Sequence, residues 1–245
     1  MSSNFQKITI ILKNRFHLAY QFISYNLKII FANKFIYFLL AAVAFFLLIA
    51  IISLFDEDDY PDPATVYYLL LFPGLLLIFY PSTFGIQNDM DSRMIEMLFG
   101  IPNYRYKVWL MRLAIILLMV YLMLLMLGIL SNLLMVPVSV FEMAMQLMFP
   151  VFFMGALAFM FSTVIRNGNG TAGVMAIIGL IVWILSGILG ENEWNIFLNP
   201  YAMPVTFSQE LWVDMIFYNR LYLLIGTILA ILAGLNRLQK RERFV

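Results

Sequence analysis

The chain has 245 residues, of which 63% are hydrophobic and only 12% charged, with a formal net charge of +1 and a mean hydropathy of +0.91. A water-soluble domain carries about 25% charged and about 45–50% apolar residues, so this composition excludes a soluble globular fold. Absent cysteine excludes disulfides, and the small net charge gives no reason to expect a nucleic-acid partner.

Residues 1–34 come first. Phe5, Ile8, Ile11, Leu12, Phe16, Ala19, Ile23, Leu27 and Ile30 recur at helical spacing, while Lys7, Asn14, Gln21 and Lys28 repeat every seventh position on another face. This predicts an amphipathic helix on the inner leaflet, its bases toward anionic membrane lipids. It serves either as a plain topogenic anchor or as an elbow helix that also touches a cytoplasmic partner. No small-residue cleavage site follows the first apolar run, so no cleaved signal peptide is expected.

Six apolar stretches follow, each able to supply the roughly 20 residues a spanning helix needs. They are predicted at about 35–54, 66–86, 113–135, 143–165, 172–190 and 215–236, the last with Arg220 reaching back to the interface. The other five hold no Asp, Glu, Lys or Arg. A charged side chain at mid-helix costs about 2.5–3.5 kcal/mol on insertion scales, which makes the pattern informative. The alternating ten-residue segments of a β-barrel are absent. The fold class expected is therefore an all-α polytopic membrane protein, with a six-helix domain over 35–236 and a basic tail over 237–245.

Charge sets its expected orientation. Lys7, Lys13, Arg15, Lys28 and Lys34 precede span one, and Arg93, Arg105, Lys107 and Arg112 lie between spans two and three. Arg166 lies between spans four and five, and Arg237, Lys240, Arg241 and Arg243 follow span six. These fourteen of fifteen bases fall on one side, which the positive-inside rule makes cytoplasmic, together with both termini. The other side carries acids, from Asp56, Glu57, Asp58, Asp59 and Asp62 in one loop to Glu191, Glu193, Glu210 and Asp214 in another. Between Glu191 and Asp214 the apolar-aromatic composition predicts short helices at or in the outer interface.

The loop between spans two and three carries the functional argument. Met90, Met94, Met97, Leu98 and Ile101 form one helical stripe, and Asp89, Arg93 and Glu96 gather on another face. Gly100 and Pro102 then supply stop signals. The loop is read either as a surface helix that merely connects two spans, or as a docking helix for a soluble protein.

Glu96 to Arg112 (Glu-Met-Leu-Phe-Gly-Ile-Pro-Asn-Tyr-Arg-Tyr-Lys-Val-Trp-Leu-Met-Arg) resembles the loop after the second span of ABC-2 type ABC-transporter permeases. Glu96, Leu98, Pro102, Arg105 and Arg112 match that pattern. It departs at Ile101, where the family usually has Thr or Ser, and at Arg93-Met-Ile, where Gly-Thr often precedes the Glu. Phe197-Leu-Asn-Pro-Tyr201 is similar to the Asn-Pro element many members carry after span five. The resemblance implies a permease subunit that pairs with a second copy, identical or related, and docks on a separate ABC ATPase through the loop helix.

On that resemblance Asp91, Arg93, Glu96, Met97, Leu98, Pro102 and Arg105 are the ATPase-coupling candidates. Phe72, Phe79, Tyr80, Met175 and Ile178 are candidates for a substrate pathway lined by spans two and five. Trp194, Phe197, Asn199 and Pro200 are candidates for an outer gate region. It also implies export across a prokaryotic cytoplasmic membrane, with ATP and Mg held by the partner and no cofactor on this chain.

The chain itself lacks the Gly-x-x-x-x-Gly-Lys-Ser/Thr loop that cradles phosphate. Its nearest stretch, Asn167-Gly-Asn-Gly-Thr-Ala-Gly173, reads as a flexible turn between spans four and five. An intramembrane protease needs metal ligands or a Ser with a base; His17 is the only histidine, and Ser92, Ser131, Ser162 and Ser186 have no His or Lys in any span. No catalytic or metal residue is expected. An ion-driven secondary transporter usually buries ionisable groups at midplane, whereas Glu142 and Arg220 are predicted at outer ends as interfacial anchors. Asn132, Gln146, Ser162, Thr163, Ser186 and Thr227 are expected to hydrogen-bond between helices. A non-transporting scaffold or immunity protein is the remaining alternative.

Overall fold

A computed structural model describes Ser24 and residues 35–55, 61–91 and 105–238. Its helices are α1 (Phe35–Phe55), α2 (Pro63–Asp91), α3 (Met111–Leu134), α4 (Val140–Ile165), α5 (Gly168–Leu189) and α6 (Gln209–Leu238), with a π-helical turn over Arg105–Leu110 leading into α3. All six are long and apolar enough to cross a membrane. At 1.5 Å per residue, even the 21 residues of α1 match the roughly 30 Å of a hydrocarbon core. A helix suits that solvent because it satisfies its backbone polar groups internally. The predicted N-terminal helix apart from Ser24, most of the predicted coupling helix and the basic tail beyond Leu238 lie outside the described residues.

α2 packs on α4, and α4 on α6, to form the centre of the bundle; α3 joins this core, while α1 and α5 lie at its margin. Small residues let the central backbones approach. A Cβ at Gly155 of α4 would come within 2.7 Å of Ile78 Cγ1, and one at Gly74 of α2 within 3.0 Å of Val151 Cγ2. Gly226 and Gly234 of α6 face Phe153 and Phe159 just as closely, each 2.7 Å from a ring carbon. Tyr67, Leu70, Leu77, Leu124, Met143 and Leu147 fill the core between them.

Several polar residues settle locally rather than between helices. Ser162 and Thr163 donate to Phe159 and Met160 carbonyls, and Thr227 to Leu223. Each hydroxyl thus answers to its own helix, the short-range solution open to Ser and Thr. Asn132 clamps the α3–α4 connection, donating to the Val138 carbonyl and accepting from its N–H.

The helices alternate between two ends of the bundle. Asp62, Glu142, Glu191, Glu193, Glu210 and Asp214 mark an acidic end, and Arg112, Arg166 and Arg237 a basic end. At the basic end the α4–α5 turn is only Arg166, in the left-handed conformation at φ 58°, and Asn167. Asn167 Oδ1 accepts from Gly170 N–H at 3.0 Å and caps α5. The glycine-rich stretch expected to be a flexible turn is therefore the capped first turn of a helix. α6 likewise begins before Met215: the Ser208 carbonyl accepts from Trp212 N–H, which starts the helix at Gln209.

Candidate functional site

The acidic end is closed by residues 190–208, which form no helix. Their fold is written by three asparagines. Asn192, Asn195 and Asn199 each accept, on the side-chain oxygen, from the N–H two residues on. Each carbonyl also accepts from the N–H three residues on. Three successive Asx turns replace the short interfacial helices expected there, because an Asn side chain offers the backbone an alternative to a helical bond.

This loop is bound to the spans by donors from both sides. Asn195 Nδ2 donates back to the Gly190 and Ser186 carbonyls at the end of α5. Asn199 Nδ2 donates to the Ala64 carbonyl of α2, and Trp212 Nε1 to the Pro200 carbonyl. Asn219 Nδ2 donates to both Glu193 and Asn195 carbonyls at 2.8 Å. Burial pushes the Tyr201 phenol up to about 12, with the Glu142 carboxylate adding to the shift, so this side chain stays neutral.

Arg220 sits behind the loop and is 5% exposed. Its Nε donates to Gln146 Oε1 of α4 at 2.8 Å, and Nη1 donates to Asn219 Oδ1 at 2.7 Å. Nη2 reaches the Leu198 carbonyl at 3.2 Å and the Tyr67 hydroxyl of α2 at 3.4 Å. The guanidinium carbon also lies 5.7 Å from the Phe149 ring centre, within cation–π range. One side chain thereby joins α2, α4, α6 and the loop through neutral groups. This corrects the expectation of an interfacial anchor: the guanidinium turns into the bundle because a planar array of donors there meets several acceptors at once. Glu142, by contrast, lies exposed in the first turn of α4.

Two cavities adjoin this structure. One of about 600 Å³ lies between α1, α2, α4 and α5, with Phe45, Phe72, Leu75, Phe79, Met154 and Met175 among its walls. Thr65 and Tyr68 are its polar side chains other than the Trp183 indole, and the Thr65 hydroxyl is already committed to Asp62. The other, of about 360 Å³, opens at the acidic end against Ser186, Glu191, Asn195 and Asn199. Tyr68, Trp183 and Phe197 line both. The Trp183 and Phe197 ring centres stand 6.4 Å apart.

The sequence-derived pathway residues divide accordingly. Phe72, Phe79 and Met175 line the larger cavity. Tyr80 is buried beside it, stacked on Phe84 and tilted against Phe38. Ile178 packs against the core. Of the gate residues, Phe197 borders both cavities and Asn199 the smaller. Pro200 supplies the carbonyl for Trp212, and Trp194 is exposed, stacked on Tyr222 at 4.5 Å. Asp91 is the last residue of α2 and Arg105 the first of the π-helical turn. Arg93, Glu96, Met97, Leu98 and Pro102 lie outside the described residues.

Tyr67, Gln146, Asn219 and Arg220 were missed as a group. A signal for two of them exists: Asn219, Leu223, Thr227, Ala230 and Gly234 step by three or four residues along α6 and are all buried. The small residues mark a packed stripe, and Asn219–Arg220 extends it toward the acidic end.

This fold and its paired cavities define a multi-pass α-helical membrane protein with an apolar chamber beneath a hydrogen-bonded plug. In comparisons with known proteins, no family model, curated protein or solved structure matches the chain.

Proposed function

We propose that the chain is the permease subunit of an ATP-driven, ABC-2 type exporter, working as a dimer with a separate ABC ATPase. The observation that carries this reading is the position of the larger cavity. Its walls include α2 and α5, the spans that the resemblance of residues 96–112 assigns to a substrate pathway. In this reading the basic end is cytoplasmic and the plug of residues 190–208 faces outward, in a prokaryotic inner membrane. The ATPase docks on the amphipathic loop that follows α2 and carries out the ATP chemistry; this chain is not itself an enzyme.

A mechanical route supports it. The Gln87 side-chain oxygen, at the base of that loop, accepts from the Gly168 N–H at the start of α5. A displacement of the loop thus reaches α5, and one wall of the cavity, through that contact.

An ion-driven carrier draws support from the buried Arg220. Against it, the guanidinium is tied into the fold rather than offered to a passing ion. Four neutral groups also already accept from it.

The test is a mild-detergent capture of the tagged chain from native membranes. A stoichiometric ATPase should accompany wild type and be lost from Glu96→Arg, which inverts the charge of the docking face. Capture of no ATPase, or equal capture by both, overturns the reading.

A further inference from the structure

We infer that the paired cavities bind a single-chain amphiphile with a cationic amine head, the chain lying in the larger cavity and the head at the smaller. This rests on the permease reading, because it names the class of cargo for that pathway. Shape is the first argument. Along α2 the larger cavity runs from Thr65 to Phe79, about 21 Å at 1.5 Å per residue, or most of the depth of a hydrocarbon core. An elongated slot of this kind suits an extended alkyl chain better than a compact solute.

Chemistry is the second argument. The slot carries no charged side chain, so whatever occupies it must be apolar along its length. At Tyr68, Trp183 and Phe197 the lining changes character. Beyond them the mouth carries a carboxylate, Glu191, and no base. The Asn195 and Asn199 side chains are spent on backbone groups of the loop and of the neighbouring ends of α2 and α5, which leaves Glu191 as the charged group offered to a head. The single base on that side of the sequence, Arg220, is turned inward to neutral partners. An anionic head meets repulsion there, and an amine meets a counter-charge next to aromatic faces.

Gly179 gives a clean way to test this. It lines the slot, and a Cβ built on it meets nothing within 4 Å. Gly179→Phe therefore starts its side chain into open space within the cavity. Gly173→Phe is the control: it lies on the same helix, also meets nothing within 4 Å, and does not line either cavity.

The purified full chain, in nanodiscs of zwitterionic lipid, is photolabelled with a long-chain alkylamine bearing a diazirine at its far end. A matched alkyl sulfate is run beside it. Adducts are expected on α2 and α5 peptides around Phe72, Phe79 and Met175 with the amine, and far fewer with the sulfate. Displacing two methylene groups from an apolar site lowers affinity about tenfold, so Gly179→Phe should raise the amine concentration needed by about that factor or more. Gly173→Phe should label as wild type, and Glu191→Lys should shift preference to the sulfate.

Equal labelling by both heads, or labelling indifferent to Gly179→Phe in a chain that elutes as wild type, overturns the inference. The assay contains no ATPase. Amine binding without a captured ATPase would sink the permease reading alone; a captured ATPase with no amine binding would sink this inference alone.

Discussion

Replacing Arg220 with Met tests directly the hydrogen bonds that tie residues 190–208 to the bundle. The substitution keeps an unbranched side chain but removes every donor. Gln146 Oε1, Asn219 Oδ1 and the Leu198 carbonyl, at 2.8, 2.7 and 3.2 Å, then lose their partner within a buried site. Each orphaned acceptor costs about 1–3 kcal/mol. Removing the charge returns something, since a mid-helix Arg costs about 2.5–3.5 kcal/mol on insertion scales. Three acceptors outweigh that relief, and a net loss of about 2 kcal/mol is expected.

The assay is thermal unfolding in a mild detergent, combined with limited proteolysis across residues 190–208. The midpoint should fall and the loop should be cut sooner, while the Gln87–Gly168 end stays protected. Arg220→Lys should also fall short of wild type. A lone ammonium keeps the desolvation cost but cannot direct three separate nitrogens at Gln146, Asn219 and Leu198. A double-mutant cycle with Gln146→Leu should return about 1 kcal/mol of coupling, within the range of polar contacts between membrane helices. Additive effects, or a Lys variant as stable as wild type, would refute the claim that directed hydrogen bonds hold the loop.

Two further predictions follow from geometry elsewhere. Gly155→Ala pushes a methyl into Ile78 at the α2–α4 contact and should destabilise by about 1–3 kcal/mol, whereas Gly85→Ala, with nothing within 4 Å, should be neutral or gain up to about 1 kcal/mol from helix propensity; equal midpoints would show that the α2–α4 contact gives way. Asp62 Oδ1 accepts both the N–H and the hydroxyl of Thr65 at 2.7 Å, the backbone bond foremost in holding its carboxyl below the usual value. A depressed folded value means its contribution is complete above the unfolded carboxylate value of about 3.9 and is lost as pH falls through the lower folded one. Hydrogen exchange in the first turn of α2, corrected for intrinsic rates, should therefore accelerate only below about pH 4. Asp62→Asn keeps an acceptor and should abolish that step; acceleration already at neutral pH would contradict the assignment.

The six helices were legible because lipid imposes a one-dimensional rule, a length of uninterrupted apolar residues, that needs no knowledge of neighbours. The gathering of Phe72, Phe79 and Met175 around one cavity was partly legible, since it followed from a resemblance rather than a pattern. Arg220 was not. From the sequence a base near the end of a span reads as reaching for water. Whether it turns inward depends on acceptors supplied by Gln146, Leu198 and Tyr67, which lie 74, 22 and 153 positions away in the chain. The asparagine turns were local and readable in principle, as Asn192, Asn195 and Asn199 stand close together beside Gly190 and Pro200. Their aromatic neighbours drew the reading toward interfacial helices instead.

The same details set α5 apart from α4 in how it is held. Its buried residues are few: Gly168, Thr171, Met175 and Val182. Polar contacts hold it at both ends, the Gln87 oxygen on Gly168 at the basic end and Asn195 Nδ2 on the Ser186 and Gly190 carbonyls at the acidic end. Between those ends it contributes one apolar wall of the larger cavity through Met175, Ala176, Gly179 and Trp183. α4 stands opposite in character, wedged between α2 and α6 with glycine or ring contacts on both faces. A shift of α4 would break close packing along its length, whereas a shift of α5 would first have to break the polar contacts at its two ends.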